Sequence, residues 1–347
     1  MPTVRHGVGE ARHAGRCNVN TKRARALLAI DPIDDGRRCV ISSAKEPFLN
    51  AIRTVMEDNR NYWPLTVRQI HYRLLALAPL KHAEKSESRY VNNVACYKSL
   101  VELMTRARTE GLLPWDAIDD PTRLTKKDRR FSDKAEFLTF ELAVILQGYH
   151  RDRMQTQSAH IEVLVEKDAV LNIVGPVCEE FCLALTSTRG AASISAKHEV
   201  AQRFAASGKK KLVLLVASDL DPMGDVIAED LVKTMRRDFG IAKEIVTAHK
   251  VAMTMEQVRE YDLPPNATAK KTSSTYYAYV EEYQTTGAWE LEAFTPEQLA
   301  AVLREAIESV IDKDEYLAQT DAEDQDREEI ADMREHALRI LRAEFSL

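Results

Sequence analysis

Two apolar runs in this chain end in acids. IEVLV at 161–165 leads into Glu166-Lys167-Asp168, and KLVLLVA at 211–217 leads through Ser218 into Asp219-Leu-Asp221-Pro-Met-Gly224. Along an extended segment residues i and i+2 point the same way, so Asp219 and Asp221 are expected to project together. Two carboxylates held that close repel unless a cation sits between them or one takes a proton. An oxygen-only donor set suits Mg²⁺ better than zinc. Glu166, Asp219 and Asp221 are therefore the candidate metal ligands, with Glu166 also available as general acid or base. The plainer alternative is capping, because Asp221 followed by Pro222 makes a good helix start. Capping accounts for Asp221 but not for Asp219, nor for Glu166 at a second strand end.

A second chemistry is carried by TVRQIHYRLL at 66–75. At about 100° per residue, Val67, Ile70, His71, Leu74 and Ala78 share one face, which is expected to meet the core. Tyr72 lies off that stripe, one turn after Arg68. A phenol beside a guanidinium is suited to attack on a phosphodiester, since Arg68 can neutralise the phosphate and the charge that develops. Tyrosine attack gives a phosphotyrosyl ester, which preserves the ester's energy and permits resealing without ATP. The chain has 11 tyrosines, so an ordinary half-exposed helix tyrosine remains the competing reading.

The elements that must hold these groups follow from periodicity and breakers. A helix is predicted over 44–59, Trp63-Pro64 breaks it, and Thr66 caps a second over 67–77. A third covers 88–110 and stops at Gly111, followed by Leu112-Leu113 and by Trp115, Ala117 and Ile118 among Asp and Pro. Three helices and a small β-rich excursion outline a winged helix. The third helix of that motif enters the major groove. Lys98, Arg106 and Arg108 on it, with Lys126 and Lys127 just beyond the wing, are thus candidate DNA contacts, a solvated charged face being the alternative. A further helix over 134–150 leads out.

From 161 onward strands (161–165, 183–187, 211–217, 244–249) alternate with helical segments, clearest at 196–206 and 223–239. Near-continuous apolar strands separated by helices imply a parallel sheet covered on both faces. Ligand sites in such sheets lie at the carboxyl ends of the strands, where the acids stand. Helices from about 296 finish the chain. The fold class is thus α/β plus α: a basic arm over 1–40, a winged-helix (CAP-like) DNA-binding domain over 41–152, a sheet domain over 158–295 and an acidic helical segment over 296–347.

The 347 residues are 45% hydrophobic and 29% charged, with a net charge of −6, which suits a soluble globular enzyme. Net acidity does not exclude nucleic acid, because bases can line one groove. Arg5, Arg12, Arg16, Lys22, Arg23 and Arg25 crowd the first 30 residues, whereas acids crowd 312–335. Cys17, Cys39, Cys96, Cys178 and Cys182 form no CxxC and read as reduced thiols. His71, His82, His198 and His249 fit no zinc spacing. Without a secretory segment or a membrane-length apolar run, the expected location is cytoplasmic, at the nucleoid.

An apolar strand ending in Glu, paired with a later strand ending in DxDxxG, resembles the Toprim domain of topoisomerases, primases and OLD-type nucleases. More narrowly, VEKDAV at 165–170 and DLDPMG at 219–224 resemble the topoisomerase VI A subunit and its meiotic double-strand-break relatives, with Arg189-Gly190 at the position of a Gly-containing turn. That family carries its catalytic tyrosine in a winged helix ahead of Toprim, in a Thr-x-Arg-x-x-[Tyr/Phe]-Tyr pattern. Residues 66–72 match it, with His71 in place of the usual aromatic. The resemblance spans about 66–289 and is strongest at these three motifs. It implies Glu166, Asp219 and Asp221 as Mg²⁺ ligands, Tyr72 as nucleophile, a homodimer on double-stranded DNA in which each tyrosine works with its partner's metal, staggered cleavage and 5′-phosphotyrosyl ends. The chain is shorter than the usual A subunit and shows no P-loop. It is therefore expected to be a minimal, stand-alone form, any ATPase being a separate partner, and to cleave or cleave and religate rather than pass strands. A Toprim metal-dependent hydrolase and a non-catalytic DNA-binding or replication-accessory protein are the alternatives.

Overall fold

The computed structural model describes residues 41–77, 80, 87–118, 129–190 and 192–345. The chain divides into two units, 1–39 and 40–347, and every described residue belongs to the second. The basic arm, His82, Lys126 and Lys127 lie outside the described residues.

The first elements are helices α1 (Glu46–Asp58), α2 (Val67–Ala76) and α3 (Val94–Thr109). Each contributes one apolar stripe to a common core: Leu49, Ile52 and Val55 from α1, Ile70 and Leu74 from α2, Leu100, Leu103 and Ala107 from α3. Thr66 starts α2 with a reciprocal cap, its side chain accepting from Gln69 N while the Gln69 side chain accepts from Thr66 N. The third helix begins six residues later than its periodicity suggests. Asn93 supplies the side-chain cap, accepting from Cys96 N at 2.8 Å, and a cap fixes a helix start more firmly than propensity does. A single bridge joins Leu65 to Ile118 and closes the group. Helix α4 (Lys134–Val144) follows, shorter than the expected 134–150 because Leu146 and Gly148 turn to positive φ.

Next come β1 (Ala159–Val165), α5 (Leu171–Glu180), β2 (Ala184–Ser187), α6 (Ile194–Ser207), β3 (Lys211–Ala217), α7 (Ile227–Arg237) and β4 (Val246–Ala252). The strands form one parallel sheet in the order β2-β1-β3-β4. Pleating splits the apolar runs between two cores. Ile161, Val163, Val165, Leu215 and Ala217 pack towards α5, while Leu164, Leu214 and Val216 pack towards α7. Both faces are therefore covered, as continuous apolar strands require. Strand order reverses between β1 and β3, and that is where the crevice of a doubly wound sheet opens.

Helix α8 (Met255–Glu260), β5 (Ala267–Thr268), α9 (Tyr276–Tyr283), β6 (Gly287–Ala288), α10 (Pro296–Glu308) and α11 (Lys313–Phe345) complete the chain. Strands β5 and β6 pair antiparallel, with α9 between them in the chain. Beyond β6 Trp289 pairs antiparallel with Leu220, N–H to carbonyl in both directions at 2.8 and 3.0 Å. That pairing ties the segment after β6 to the loop after β3. Among the described residues no helix is long and apolar enough to cross a membrane.

Candidate functional site

The switch point brings two of the predicted acids, Glu166 and Asp219, into contact. Val165 is in register with Ala217, so β1 and β3 end side by side, and Asp219 N donates to Glu166 Oε2 at 2.9 Å. Asp219 is 5% exposed; its Oδ1 accepts from Leu291 N at 2.9 Å. The glycine that ends DLDPMG has a steric reason: a Cβ on Gly224 would lie 2.2 Å from the Asp219 carbonyl oxygen. Asp221 Oδ1 accepts from Met223 N at 2.8 Å and Gly224 N at 2.7 Å, so this residue does cap the turn.

Capping leaves a second oxygen on Asp221, and its charge still reaches Glu166. Burial raises the Glu166 carboxyl above its ordinary range, and Asp221 adds to that push against the Asp219 N–H, Lys167 and Lys250. Burial also pushes Asp219 up to about 7, against the pull of Lys167. Glu166 Oε1 and Asp221 Oδ2 accept no hydrogen bond from the described residues. The two open hard oxygens, on Glu166 and Asp221, fit a small divalent cation in kind, while both Asp219 oxygens are taken, Oδ1 by Leu291 N and Oδ2 by Lys167. As they stand, no three His, Cys, Asp or Glu among the described residues are grouped closely enough to hold a metal ion.

Lys167 joins Asp219 to two further carboxylates. Its ammonium lies 2.6 Å from Asp219 Oδ2, 3.3 Å from Glu292 and 3.6 Å from Glu290. Burial opposes its charge, but Glu292, Asp219 and Glu290 outweigh burial and hold it protonated well above the usual lysine range. Glu290 and Glu292 are the members of this cluster that sequence reasoning missed. Their E-L-E spacing repeats the D-L-D of 219–221, and the Trp289–Leu220 pairing and the Leu291 N–H on Asp219 bring the two stretches together.

Helix α2 meets the same cluster. The Tyr72 hydroxyl donates a short hydrogen bond to Glu290 Oε2. Arg68 reaches Glu290 Oε1 at 2.6 Å and stands 3.4 Å from the Tyr72 oxygen. Tyr72 is thus buried, at 8% exposure, although helical periodicity leaves it off the core stripe. The turn at Leu291–Ala293 packs against α2 and covers its second face, a long-range contact that period counting does not register. Arg73 locks the docking by donating to the carbonyls of Glu292, Ala293 and Phe294, and Gln69 donates to Ala169 O at 3.0 Å. Burial raises the Tyr72 phenol, with Glu290 adding to it and Arg68 opposing.

Two cavities open at the cluster. One, of about 610 Å³, is lined by Arg68, His71, Tyr72, Asn93 and Asn266. The other, of about 660 Å³, is lined by Glu166, Gly190, Met223 and Thr275. His71 lies between Tyr90 (2.5 Å) and Asn92 (3.3 Å), a structural role.

The basic candidates are placed differently. Lys98 is exposed on α3, and Arg106 pairs with Glu102 one turn away. Arg108 turns inward, its guanidinium 4.3 Å from the Trp115 ring centre and donating to Ile118 O at 3.4 Å. No protein-family model, curated protein or solved structure matches this chain.

Proposed function

We propose that this chain binds double-stranded DNA and cuts it by transesterification onto Tyr72, assisted by Mg²⁺ held by Glu166, Asp219 and Asp221, in the manner of the topoisomerase VI A subunit. In this reading α1–α3 are the winged helix, the four-stranded sheet is the Toprim domain, and a homodimer engages the duplex. The observation that carries it is the continuity of the cluster. Tyr72 and Arg68 from α2, Lys167 and Glu166 from the end of β1, and Asp219 from the end of β3 are linked through Glu290 into one set of contacts. A tyrosine with only a packing role has no need of a guanidinium and a run of carboxylates at its hydroxyl.

The chain's own groups have definite parts. Arg68 lines the cavity beside Tyr72, where its charge neutralises a phosphate and stabilises the charge that grows on it. Tyr72 is held in one orientation by two partners, which places its oxygen for attack. Burial of the cluster keeps water from competing with the phenol. The metal, when bound, would supply Lewis-acid stabilisation of the phosphate oxygens. Tyr72 meets Glu290 of its own chain, whereas the resemblance pairs each tyrosine with the metal acids of the other protomer in the homodimer.

The test is plasmid cleavage in Mg²⁺, stopped with detergent and divided into samples with and without protease. Protein-linked linear DNA that disappears in Tyr72→Phe is the expected result. Free ends produced equally by wild type and Tyr72→Phe would overturn the tyrosine mechanism in favour of hydrolysis. Salt-sensitive binding without any cleavage would leave an accessory role.

A further inference from the structure

Resting on that reading, we infer that Glu290 is the proton acceptor for Tyr72 in the cleavage step. The carboxylate is where a base must be, since Tyr72 Oη donates directly to Glu290 Oε2, and hydrogen-bond reach of the abstracted proton is the first requirement of a general base. It is held there from several sides. Glu290 N donates to Asn266 Oδ1 at 2.8 Å, the preceding residue is fixed by the Trp289–Leu220 pairing, and Oε1 takes Arg68 at 2.6 Å. Lys167, 3.6 Å away, completes its surroundings.

The other groups at the hydroxyl cannot serve. Arg68 is a guanidinium and has no lone pair to accept a proton. His71 stacks near Tyr72 at 5.3 Å between ring centres, but its two ring nitrogens are engaged by Tyr90 and Asn92. Glu292 Oε1 stands 3.9 Å from the same Arg68 Nε that faces Tyr72, and its Oε2 takes Lys167 at 3.3 Å, but neither oxygen accepts from the Tyr72 hydroxyl, whose proton points to Glu290.

The step balances as follows. The Tyr72 Oη–H bond breaks and its proton passes to Glu290 Oε2. The freed electron pair forms the Oη–P bond, and the P–O3′ bond breaks. The pair goes to O3′, which takes a proton from water, leaving the 5′ phosphate on Tyr72. Arg68, 3.4 Å from Oη, stabilises negative charge on the phenol oxygen while the proton is in transit. Religation reverses each move, Glu290 returning the proton.

The experiment measures single-turnover formation of protein-linked DNA at saturating duplex, with DNA binding measured separately. Glu290→Gln keeps the shape and one acceptor oxygen but cannot take the proton. It is expected to bind DNA like wild type and to cleave about a hundredfold more slowly. Glu290→Asp, which keeps the charge that Arg68 and Lys167 face, withdraws the carboxylate from Oη and should also be slow, guarding against a folding defect in the first variant. The decisive readout replaces Tyr72 by a ring-fluorinated tyrosine with a more acidic phenol. If Glu290 takes the proton, fluorination should shrink the Glu290→Gln defect about tenfold or more. Cleavage by Glu290→Gln within about threefold of wild type overturns the inference. So does a defect that fluorination leaves unchanged, which would mean Glu290 only positions Arg68. Absence of any protein-linked DNA from wild type would instead remove the tyrosine mechanism itself, and this inference with it.

Discussion

Replacing Gly224 by alanine adds one methyl group and alters no charge, yet it should cripple the acidic site. The new Cβ would lie 2.2 Å from the Asp219 carbonyl oxygen, 3.0 Å from its carbon and 3.2 Å from its nitrogen. A carbon and a carbonyl oxygen approach comfortably to about 3.3 Å, so the loop must open by roughly 1 Å. The obstacle is backbone, which cannot swing aside as a side chain would. Opening pulls on the Lys250 Nζ bond to Asp219 O (3.0 Å), the Ser218 Oγ bond to Gly224 O (2.8 Å) and the Asp219 N–H on Glu166 (2.9 Å). Overpacking costs about 1–3 kcal/mol and a weakened buried hydrogen bond adds about 1 kcal/mol, so a loss near 3 kcal/mol is expected. Urea unfolding measures it as a lowered midpoint at constant slope. Gly175→Ala is the internal control: inside α5 its Cβ would meet nothing within 4 Å beyond its chain neighbours, and the helix-propensity gain is offset by the crowding that Pro176 imposes on a preceding Cβ, so stability should change by less than about 1 kcal/mol. Cleavage should be lost in Gly224→Ala and kept in Gly175→Ala. A destabilisation below about 1 kcal/mol together with wild-type cleavage by Gly224→Ala would refute the argument that the glycine builds the site.

Two further outcomes follow from buried charge. Asp219 is raised to about 7 from 3.8; a carboxyl raised by folding contributes stability that is full below about pH 4 and lost as pH rises through 7. Mg²⁺ competes with that proton, so saturating Mg²⁺ (100 times Kd) should stabilise by about 2.7 kcal/mol at pH 8 and much less at pH 5.5, as thermal melts at constant ionic strength would show; equal shifts at both pH values, or a shift retained in Asp219→Asn, would count against the metal site. Arg203→Met should cost about 3–5 kcal/mol in urea unfolding, because Glu162 is fully buried inside β1 and loses a two-pronged partner at 2.7 and 2.9 Å; a change under 1 kcal/mol would show that His160, 2.8 Å away, suffices.

Local rules in the sequence reached far into this fold. Continuous apolar runs announced four strands, because a strand buried on both faces has no place for polar alternation, and β1 and β3 lie where those runs predict. Thr66 and Asp221 act on their own neighbours through caps, which is why the second helix and the turn after β3 were legible. That Glu166 and Asp219 meet at one sheet edge was legible because parallel strands share a carboxyl edge; that these two and Asp221 do not, as they stand, form a metal-holding group was not. Where an apparent helix face ran on, as at 88–93 and 145–150, a cap or a positive-φ turn intervened that period counting does not weigh.

Tertiary structure alone decided who meets those acids. Lys167 is adjacent to Glu166 in sequence, but its ammonium turns towards Asp219, Glu290 and Glu292, and nothing local forecasts that choice. Tyr72 is buried because the turn at Leu291–Ala293 covers a helix face that periodicity assigns to solvent. Both facts involve the segment that the antiparallel pairing of Trp289 with Leu220 helps to hold. Such a pairing is selected by the packing of the whole chain and leaves no periodic trace in either segment. The strands, the caps and the shared edge where Glu166 meets Asp219 were determined by the sequence itself, because those rest on neighbours in the chain. The meeting of Tyr72 with Glu290 rests on contacts between distant segments, and only the folded chain could decide it.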